Sequence, residues 1–244
     1  MKIKALIFGT LMFTNMTFAQ KETDMKDAFF KAVTDGDAVA VQNMLRVEPK
    51  LATAKNQKEQ SAILLAAYYR KNDIAAILIK TGVELDIFEA AATGQTERVL
   101  SVTAKNKAII NSYSPDGFSP LLLAVFFGHQ ETAFALIDAG ANLNMASTES
   151  MKVTPLHSAV AAKQIAIVRK LIAKGANVNA RAENDLAPLH EAAANGDLEF
   201  AKLLLDNEAA INLKTKEGKT ALSLARDSKH SEMVAFLSKR GAMP

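Results

Sequence analysis

The sequence contains no cysteine, and its charges nearly cancel. Without cysteine the chain can form no disulfide, no thiol nucleophile and no N-terminal lipid anchor, so its fold depends on packing alone. The 244 residues include 29 basic and 26 acidic side chains, and without Lys2 and Lys4 there remain 27 basic against 26 acidic residues. This balance gives no excess charge to drive binding to nucleic acid or to a membrane surface.

Sequence motifs of enzymes and metal sites are also missing. The chain has no H-E-x-x-H, no C-x-x-C, no G-x-S-x-G, no Walker lysine loop and no G-x-G-x-x-G. Asp116, Glu183 and Glu217 fall in predicted turns, where solvated carboxylates are common, and no spacing pairs them for acid–base catalysis. We therefore expect no catalytic residue, no bound cofactor and no metal site.

Only one long apolar run occurs, from Ala5 to Phe18, and polar residues interrupt it. It follows a short basic start and precedes Thr17-Phe18-Ala19, which places small residues at the positions that signal peptidases require. A membrane-spanning helix needs about 20 apolar residues, so an anchor is the less favoured alternative. We predict a signal peptide over residues 1–19, cleaved after Ala19, and a mature protein that is periplasmic or secreted.

What the sequence does contain is a unit that returns every 33 residues. Thr154-Pro155-Leu156-His157 recurs as Ala187-Pro188-Leu189-His190 and again as Thr220-Ala221-Leu222-Ser223. The end of the unit recurs in phase, as G-A-N-V-N at 175–179, as E-A-A-I-N at 208–212 and as Gly241-Ala242. Two marks in phase over three copies indicate a repeat architecture.

Each unit is typical of two short helices that need a neighbour. Thr154 can cap a helix with its hydroxyl, and Pro155 sits at the first helical position, where a missing N–H has no consequence. Gly175 supplies a left-handed helix end, as does Gly140 one repeat earlier. Helices this short cannot bury their apolar sides alone, so the units must stack.

A T-P-L-H-x-A motif at period 33 resembles the ankyrin repeat. The resemblance implies an all-α ankyrin-repeat α-solenoid of about seven helix-turn-helix repeats with β-hairpin finger loops, over residues 24–244. The predicted repeats cover approximately residues 24–56, 57–84, 85–113, 114–148, 149–181, 182–214 and 215–244. The connection after Gly82 is too short for a finger, and Glu208 replaces the turn glycine, which predicts a left-handed glutamate at a cost of about 1 kcal/mol.

The four histidines all fall on repeat positions. His157 and His190 occupy the fourth position of the motif, where we expect each ring to hydrogen-bond the backbone of its own finger. His129 and His230 follow the mid-repeat turn and begin second helices. Together with Thr154, Thr220, Gly140 and Gly175, His157 and His190 are predicted to be structural.

Aromatic residues are the candidates for binding. In ankyrin repeats the two residues before the mid-repeat turn face the concave groove, and here these positions hold Tyr68-Tyr69 and Phe126-Phe127, with Ala92-Thr93 in the intervening repeat. Exposed aromatic clusters mark partner sites, although one residue of each pair can instead pack inward. The predicted partner-binding residues are Tyr68, Tyr69, Phe118, Phe126 and Phe127, with the finger-tip residues Asn184, Asp185, Lys216 and Glu217.

These observations and the resemblance favour an exported, non-catalytic scaffold for protein–protein interaction, expected to be monomeric. One role is that of an accessory to a periplasmic stress-defence enzyme. The alternatives are an immunity or inhibitor protein against a toxin, and a secreted, host-directed effector. An enzyme would need converging polar groups in a pocket, and the sequence supplies no such pattern.

Overall fold

The computed structural model describes the backbone of residues 18–243 and the side chains of residues 22–243. The predicted signal peptide, residues 1–19, lies outside this part of the chain except for positions 18 and 19, which begin the first helix. None of the helices described is both long enough and apolar enough to cross a membrane.

The chain is all-α, as the sequence predicted, and it divides into two compact units, Met1–Glu84 and Leu85–Pro244. Regular structure between residues 18 and 243 consists of fourteen α-helices and three short 3₁₀ helices, without an assigned strand. The first unit contains α1 Phe18–Asp35, α2 Ala38–Val47, the 3₁₀ helix Pro49–Thr53, α3 Ala62–Tyr68 and α4 Asn72–Lys80.

The second unit contains five helix pairs and two 3₁₀ helices, Lys107–Asn111 and Glu183–Asp185. The pairs are α5 Ile87–Ala92 with α6 Thr96–Lys105, α7 Pro120–Phe126 with α8 Gln130–Asp138, α9 Pro155–Ala161 with α10 Ile165–Ala173, α11 Pro188–Ala194 with α12 Leu198–Leu205, and α13 Ala221–Asp227 with α14 Ser231–Lys239. The first helices of neighbouring pairs pack side by side, in the order α5, α7, α9, α11 and α13. This is the stacking that the repeat pattern predicted.

The motif leucines form the centre of this stack. Leu121, Leu156, Leu189 and Leu222 occupy the same position in four successive first helices, and each is at most 3% exposed. Full burial of a leucine side chain stabilises a fold by about 1.5–3 kcal/mol, so the row accounts for a large part of the cohesion between repeats.

The predicted hairpin fingers are hydrogen-bonded turns rather than strand ladders. Ser114 N–H donates to Phe118 O at 2.9 Å, and Thr215 N–H donates to Lys219 O at the same distance. In each turn a second backbone bond spans the three-residue tip, from Gly117 N–H to Ser114 O and from Gly218 N–H to Thr215 O, and the turn is too short to build a strand. In the described residues the single bridge of strand type joins Lys55 to Ser61 in the first unit.

Two local predictions concern the connections between repeats. Only six residues, 81–86, join Lys80 to Ile87, against fourteen between Ala173 and Pro188, so the first connection has no room for a finger. Glu208 has φ 68°, which confirms the predicted left-handed glutamate at the turn that lacks glycine.

Candidate functional site

In the first unit, the tyrosine pair at the end of α3 divides between interior and surface. Tyr69 is the residue after the helix and is 55% exposed, whereas Tyr68 is half-buried. Tyr69 therefore exposes its ring at the surface, while Tyr68 contributes to packing.

In the second unit, the phenylalanine pair at the end of α7 divides in the opposite order. Phe126 is 51% exposed, and Phe127 is half-buried, as is Phe118 on the preceding finger. The rings of Phe126 and Phe127 meet edge to face, with centroids 5.1 Å apart. Since an edge-to-face contact restricts both rings, Phe126 is presented at the surface in a fixed orientation.

The predicted finger-tip residues are exposed and lie on connected turns. Asn184 and Asp185 both have left-handed backbone, with φ 56° and 58°, in the short 3₁₀ turn of their finger. Lys216 N–H donates to Asn184 O at 2.8 Å, which joins this tip to the next one, where Glu217 accepts from the Thr215 hydroxyl at 3.1 Å. The tips thus present polar side chains from a backbone that hydrogen bonds connect to the neighbouring fingers.

Hydrogen bonds between neighbouring fingers form a short ladder, which the sequence analysis did not predict. Glu183 N–H donates to Met151 O at 2.8 Å in the same way that Lys216 donates to Asn184. Pro115 occupies the corresponding position on the first finger of the second unit. Because proline has no N–H, this finger lacks the donor that Glu183 and Lys216 supply on the later fingers.

His157 and His190 hold consecutive repeats together. Their Nδ1 atoms lie at the start of their own helix, where Ala187 N–H donates to His190 at 2.9 Å and the Thr154 hydroxyl donates to His157 at 2.8 Å. Their Nε2 atoms donate forward, His157 to Leu186 O at 3.0 Å and His190 to Leu213 O at 2.9 Å. The sequence predicted only a bond from each ring to the backbone of its own finger. The structure adds a second bond, because Nε2 lies on the far side of the ring and reaches the following repeat.

Burial lowers the pKa of both His157 and His190. Backbone N–H groups at the helix start point at Nδ1 and backbone carbonyls face Nε2, an arrangement that fits the neutral tautomer with its proton on Nε2. Protonation of Nδ1 would place its new N–H opposite the N–H groups at the helix start, and the hydrogen bond there would be lost. These rings are consequently structural donors and acceptors, and neither nitrogen is available to a ligand.

His129 and His230 form a second kind of bridge at the opposite end of the first helices. Each begins a second helix and donates from Nε2 to the preceding repeat, to Ala92 O and Ala194 O respectively, both at 3.0 Å. Across the described part of the chain, no three histidine, aspartate or glutamate side chains come together as metal ligands.

A row of asparagines connects the repeats of the second unit and was missed in the sequence analysis. Asn111, Asn144, Asn179 and Asn212 each accept, at 2.8 Å, from a backbone N–H of the following repeat. The signal was present in the sequence, since these asparagines follow the repeat spacing. Their function could not be read there because the acceptor and its donor are more than 30 residues apart.

The remaining residues predicted to be structural lie at helix ends. Ser223 N–H donates to the Thr220 hydroxyl at 3.2 Å, and Ser223 reciprocates by accepting from Thr220 N–H at 2.9 Å, which forms a capping box. Gly140 and Gly175 have φ of 93° and 90°, the left-handed conformation that ends a helix.

Comparison with known proteins gives the same family over most of the chain. A sequence model of ankyrin repeats matches three times, over residues 29–147, 87–182 and 179–244. The human transient receptor potential cation channel subfamily A member 1 is 41% identical over 92 residues, which are 37% of this chain and 8% of the channel. The tyrosine-protein kinase Shark of Drosophila melanogaster is 29% identical over 157 residues, 64% of this chain and 16% of the kinase.

The chain thus spans less than a fifth of the length of these two relatives. A probable 26S proteasome regulatory subunit of Saccharomyces cerevisiae is similar over 88% of this chain and 82% of its own length, at 24% identity. Ankyrin repeats are typically non-catalytic modules of protein–protein interaction, and neither the channel nor the kinase is matched outside a small part of its length. The stacked helix pairs, the motif histidines and the three family matches establish that this chain belongs to the ankyrin-repeat family.

Proposed function

We propose that the protein is exported from the cytoplasm and binds one protein partner through its groove aromatics and finger tips, as an accessory to a periplasmic stress-defence enzyme. The observation that carries the binding surface is the exposure of one aromatic ring in each predicted pair, Tyr69 at 55% and Phe126 at 51%. Large aromatic side chains bury much apolar area at little conformational cost, and they dominate the binding energy of many interfaces.

The rest of the surface supports recognition rather than catalysis. The finger tips are held by backbone bonds and display exposed polar residues, which suit the polar rim of an interface. A rim of this kind adds selectivity while the aromatic anchors supply most of the affinity. The stress-defence role is proposed by analogy with exported ankyrin proteins. Identifying the partner protein tests this role.

Export is tested by the mass of the native protein. We expect the chain isolated from cells to begin at Gln20, as glutamine or in its cyclised form, because the apolar run and the small residues at 17 and 19 match a signal peptidase site. Ala19→Arg is expected to block this processing, since a long charged side chain does not fit the cleavage position. Full-length wild-type protein recovered from the cytosol would contradict the proposal.

The binding surface is tested by capture from periplasmic extract and by affinity measurement with the captured partner. Phe126→Ala and Tyr69→Ala are each expected to weaken binding about tenfold or more, because truncating an aromatic anchor removes roughly 2 kcal/mol. Leu100→Ala is the matched control, since Leu100 is an exposed apolar residue on the second helix α6, at 38% exposure.

The comparison requires variants that retain the wild-type circular dichroism and unfolding midpoint. If Phe126→Ala and Tyr69→Ala are folded and bind with unchanged affinity, the aromatic surface is wrong, and the tips around Asn184 and Lys216 become the surface to test. A partner identified as a stress-defence enzyme supports the accessory role. A toxin as the partner would replace it with the immunity role, and a host protein with the effector role.

A further inference from the structure

The first unit contains a cavity that the sequence analysis did not identify. Its volume is about 340 Å³, and it opens to solvent. Three segments line it, namely α1, α3 and the finger of residues 56–60 between the two helix pairs. A cavity of this size lies at the lower end of the range of about 300–1,000 Å³ found for ligand pockets.

The floor of the cavity is apolar and fixed. Phe30 on α1 and Leu65 on α3 are both buried, and the exposed ring of Tyr69 stands beside them. The Phe30 ring meets the fully buried Phe29 ring edge to face, with centroids 5.8 Å apart. Because Phe29 anchors this contact, the floor is formed before any ligand arrives, and binding does not have to order it.

The finger that closes one side is also rigid before binding. The Asn56 side chain accepts from Lys58 N–H at 2.9 Å and from Gln60 N–H at 3.0 Å, and it donates to the Gln60 side chain at 3.1 Å. Asn56 N–H donates to Gln60 O at 2.9 Å. The side-chain oxygens of Asn56 and Gln60 are therefore occupied within the finger, and the wall offers a ligand the amide of Gln57 and the charged group of Lys58.

The two walls carry opposite charges. Asp27 lies on the α1 wall and Lys58 on the finger wall, both are exposed, and within the described residues neither side chain has an ion-pair partner. Asp27 is one turn before Phe30 on the same face of α1, so its carboxylate stands next to the apolar floor. An apolar floor between an acid and a base is complementary to an apolar side chain flanked by charges of both signs.

We propose that this cavity binds an extended peptide segment of a partner protein that presents one large apolar or aromatic side chain between a basic and an acidic residue. The apolar side chain enters against Phe30, Leu65 and Tyr69, the basic residue pairs with Asp27, and the acidic residue pairs with Lys58. The inference rests on the proposed function and specifies the sequence chemistry of the partner at the first unit.

The test uses short synthetic peptides and the purified full chain. Two peptides contain Lys-Ser-Phe-Ser-Glu and Glu-Ser-Phe-Ser-Lys, because an extended segment can lie in a groove in either direction. A third replaces both charged residues by serine, and a fourth replaces the phenylalanine of the first peptide by alanine. Dissociation constants come from fluorescence anisotropy with labelled peptides at low and at high salt.

We expect at least one of the two charged phenylalanine peptides to bind about two- to five-fold more tightly than the uncharged one, with the advantage lost at high salt, as for exposed ion pairs. The alanine peptide is expected to bind about tenfold more weakly or worse. Asp27→Asn and Lys58→Gln should each remove part of the charge advantage, and Tyr69→Ala should weaken every phenylalanine peptide about tenfold. Leu100→Ala, in the other unit, should leave all the peptide affinities unchanged.

The inference is overturned if no phenylalanine peptide binds at millimolar concentration, or if Tyr69→Ala is folded and binds as well as the wild type. It is also overturned if Leu100→Ala weakens the peptides as much as Tyr69→Ala does. The proposed function is still supported after any of these outcomes if Phe126→Ala weakens capture of the native partner. The proposed function fails separately, when capture of the partner depends on neither aromatic residue.

Discussion

Replacing Gly196 by alanine is expected to lower the free energy of unfolding by about 2–5 kcal/mol. Gly196 forms the turn after α11 with φ 69°, a left-handed conformation that costs a residue with a side chain about 1–2 kcal/mol. An alanine Cβ would also lie 2.7 Å from Nδ1 and 2.8 Å from Cγ of His230, which overpacks the site at a cost of about 1–3 kcal/mol. The shift of the urea unfolding midpoint measures the sum.

Gly140→Ala is the matched control. Gly140 has φ 93°, also in the left-handed region, but no atom lies within 4 Å of an added Cβ. This variant therefore reports the backbone strain alone, and we expect a smaller loss of about 1–2 kcal/mol. Equal losses for Gly140→Ala and Gly196→Ala would mean that the contact with His230 contributes nothing.

One of the repeats without glycine at this mid-repeat turn supports the explanation. Lys163, at the turn after α9, corresponds to Gly196 and has φ 56°. The residue of the next repeat that faces it is Asp197, which corresponds to His230. The short aspartate leaves room for the lysine Cβ, and Lys163 Nζ lies 3.1 Å from Asp197 Oδ1. Gly94 and Gly196 thus each face an imidazole of the next repeat, whereas Lys163 faces a carboxylate.

The local parts of the fold could be predicted from the sequence because their causes lie within a few residues. Pro155 begins α9, and Gly175 ends the repeat in a left-handed conformation, as their backbone chemistry requires. Glu208 adopts the same conformation because the turn is imposed by the two helices that it follows, whichever residue occupies it. The period of 33 residues then determined the all-α stack.

The contacts between repeats could not be predicted because they depend on distances that the stack sets. Nothing near His157 in the sequence indicates that its Nε2 atom reaches Leu186, 29 residues later. The cavity beneath Tyr69 is a similar case, since it combines α1 with α3 and a finger. The sequence marked Tyr69 by its aromatic character but could not show that Phe30 and Asp27 would lie beside it.

His190→Ala is expected to lower the free energy of unfolding by about 2–4 kcal/mol. The substitution leaves the buried N–H of Ala187 and the carbonyl of Leu213 without their partner, and each unsatisfied group costs about 1–3 kcal/mol. His230→Ala is the control, because that ring makes one bond to backbone, to Ala194 O, and we expect a smaller loss. Urea unfolding at pH 7.5 measures both, and a loss for His190→Ala no greater than that for His230→Ala would contradict the two-sided bridge.

The same ring makes the stability depend on pH in a defined direction. Burial lowers the pKa of His157 and His190 below the ordinary value of about 6.5, and for His190 the charge of Arg181 acts in the same direction. Between the folded and the ordinary pKa the unfolded chain binds protons that the native chain does not. The stabilising contribution is therefore complete above the ordinary pKa and is lost as the pH falls through it towards the folded value.

We therefore expect the free energy of unfolding to decrease from pH 7.5 to pH 5.5, by at most about 1.4 kcal/mol per pH unit for each of the two rings. In His190→Ala this decrease should be smaller by the contribution of one ring, and the difference between wild type and variant should narrow as the pH falls. The window ends at pH 5.5 so that the carboxylates, which titrate near pH 4, do not contribute. A difference that stays constant between pH 7.5 and pH 5.5 would show that His190 binds its proton equally in the folded and unfolded chains, and that its neutral form is not what holds the repeats together.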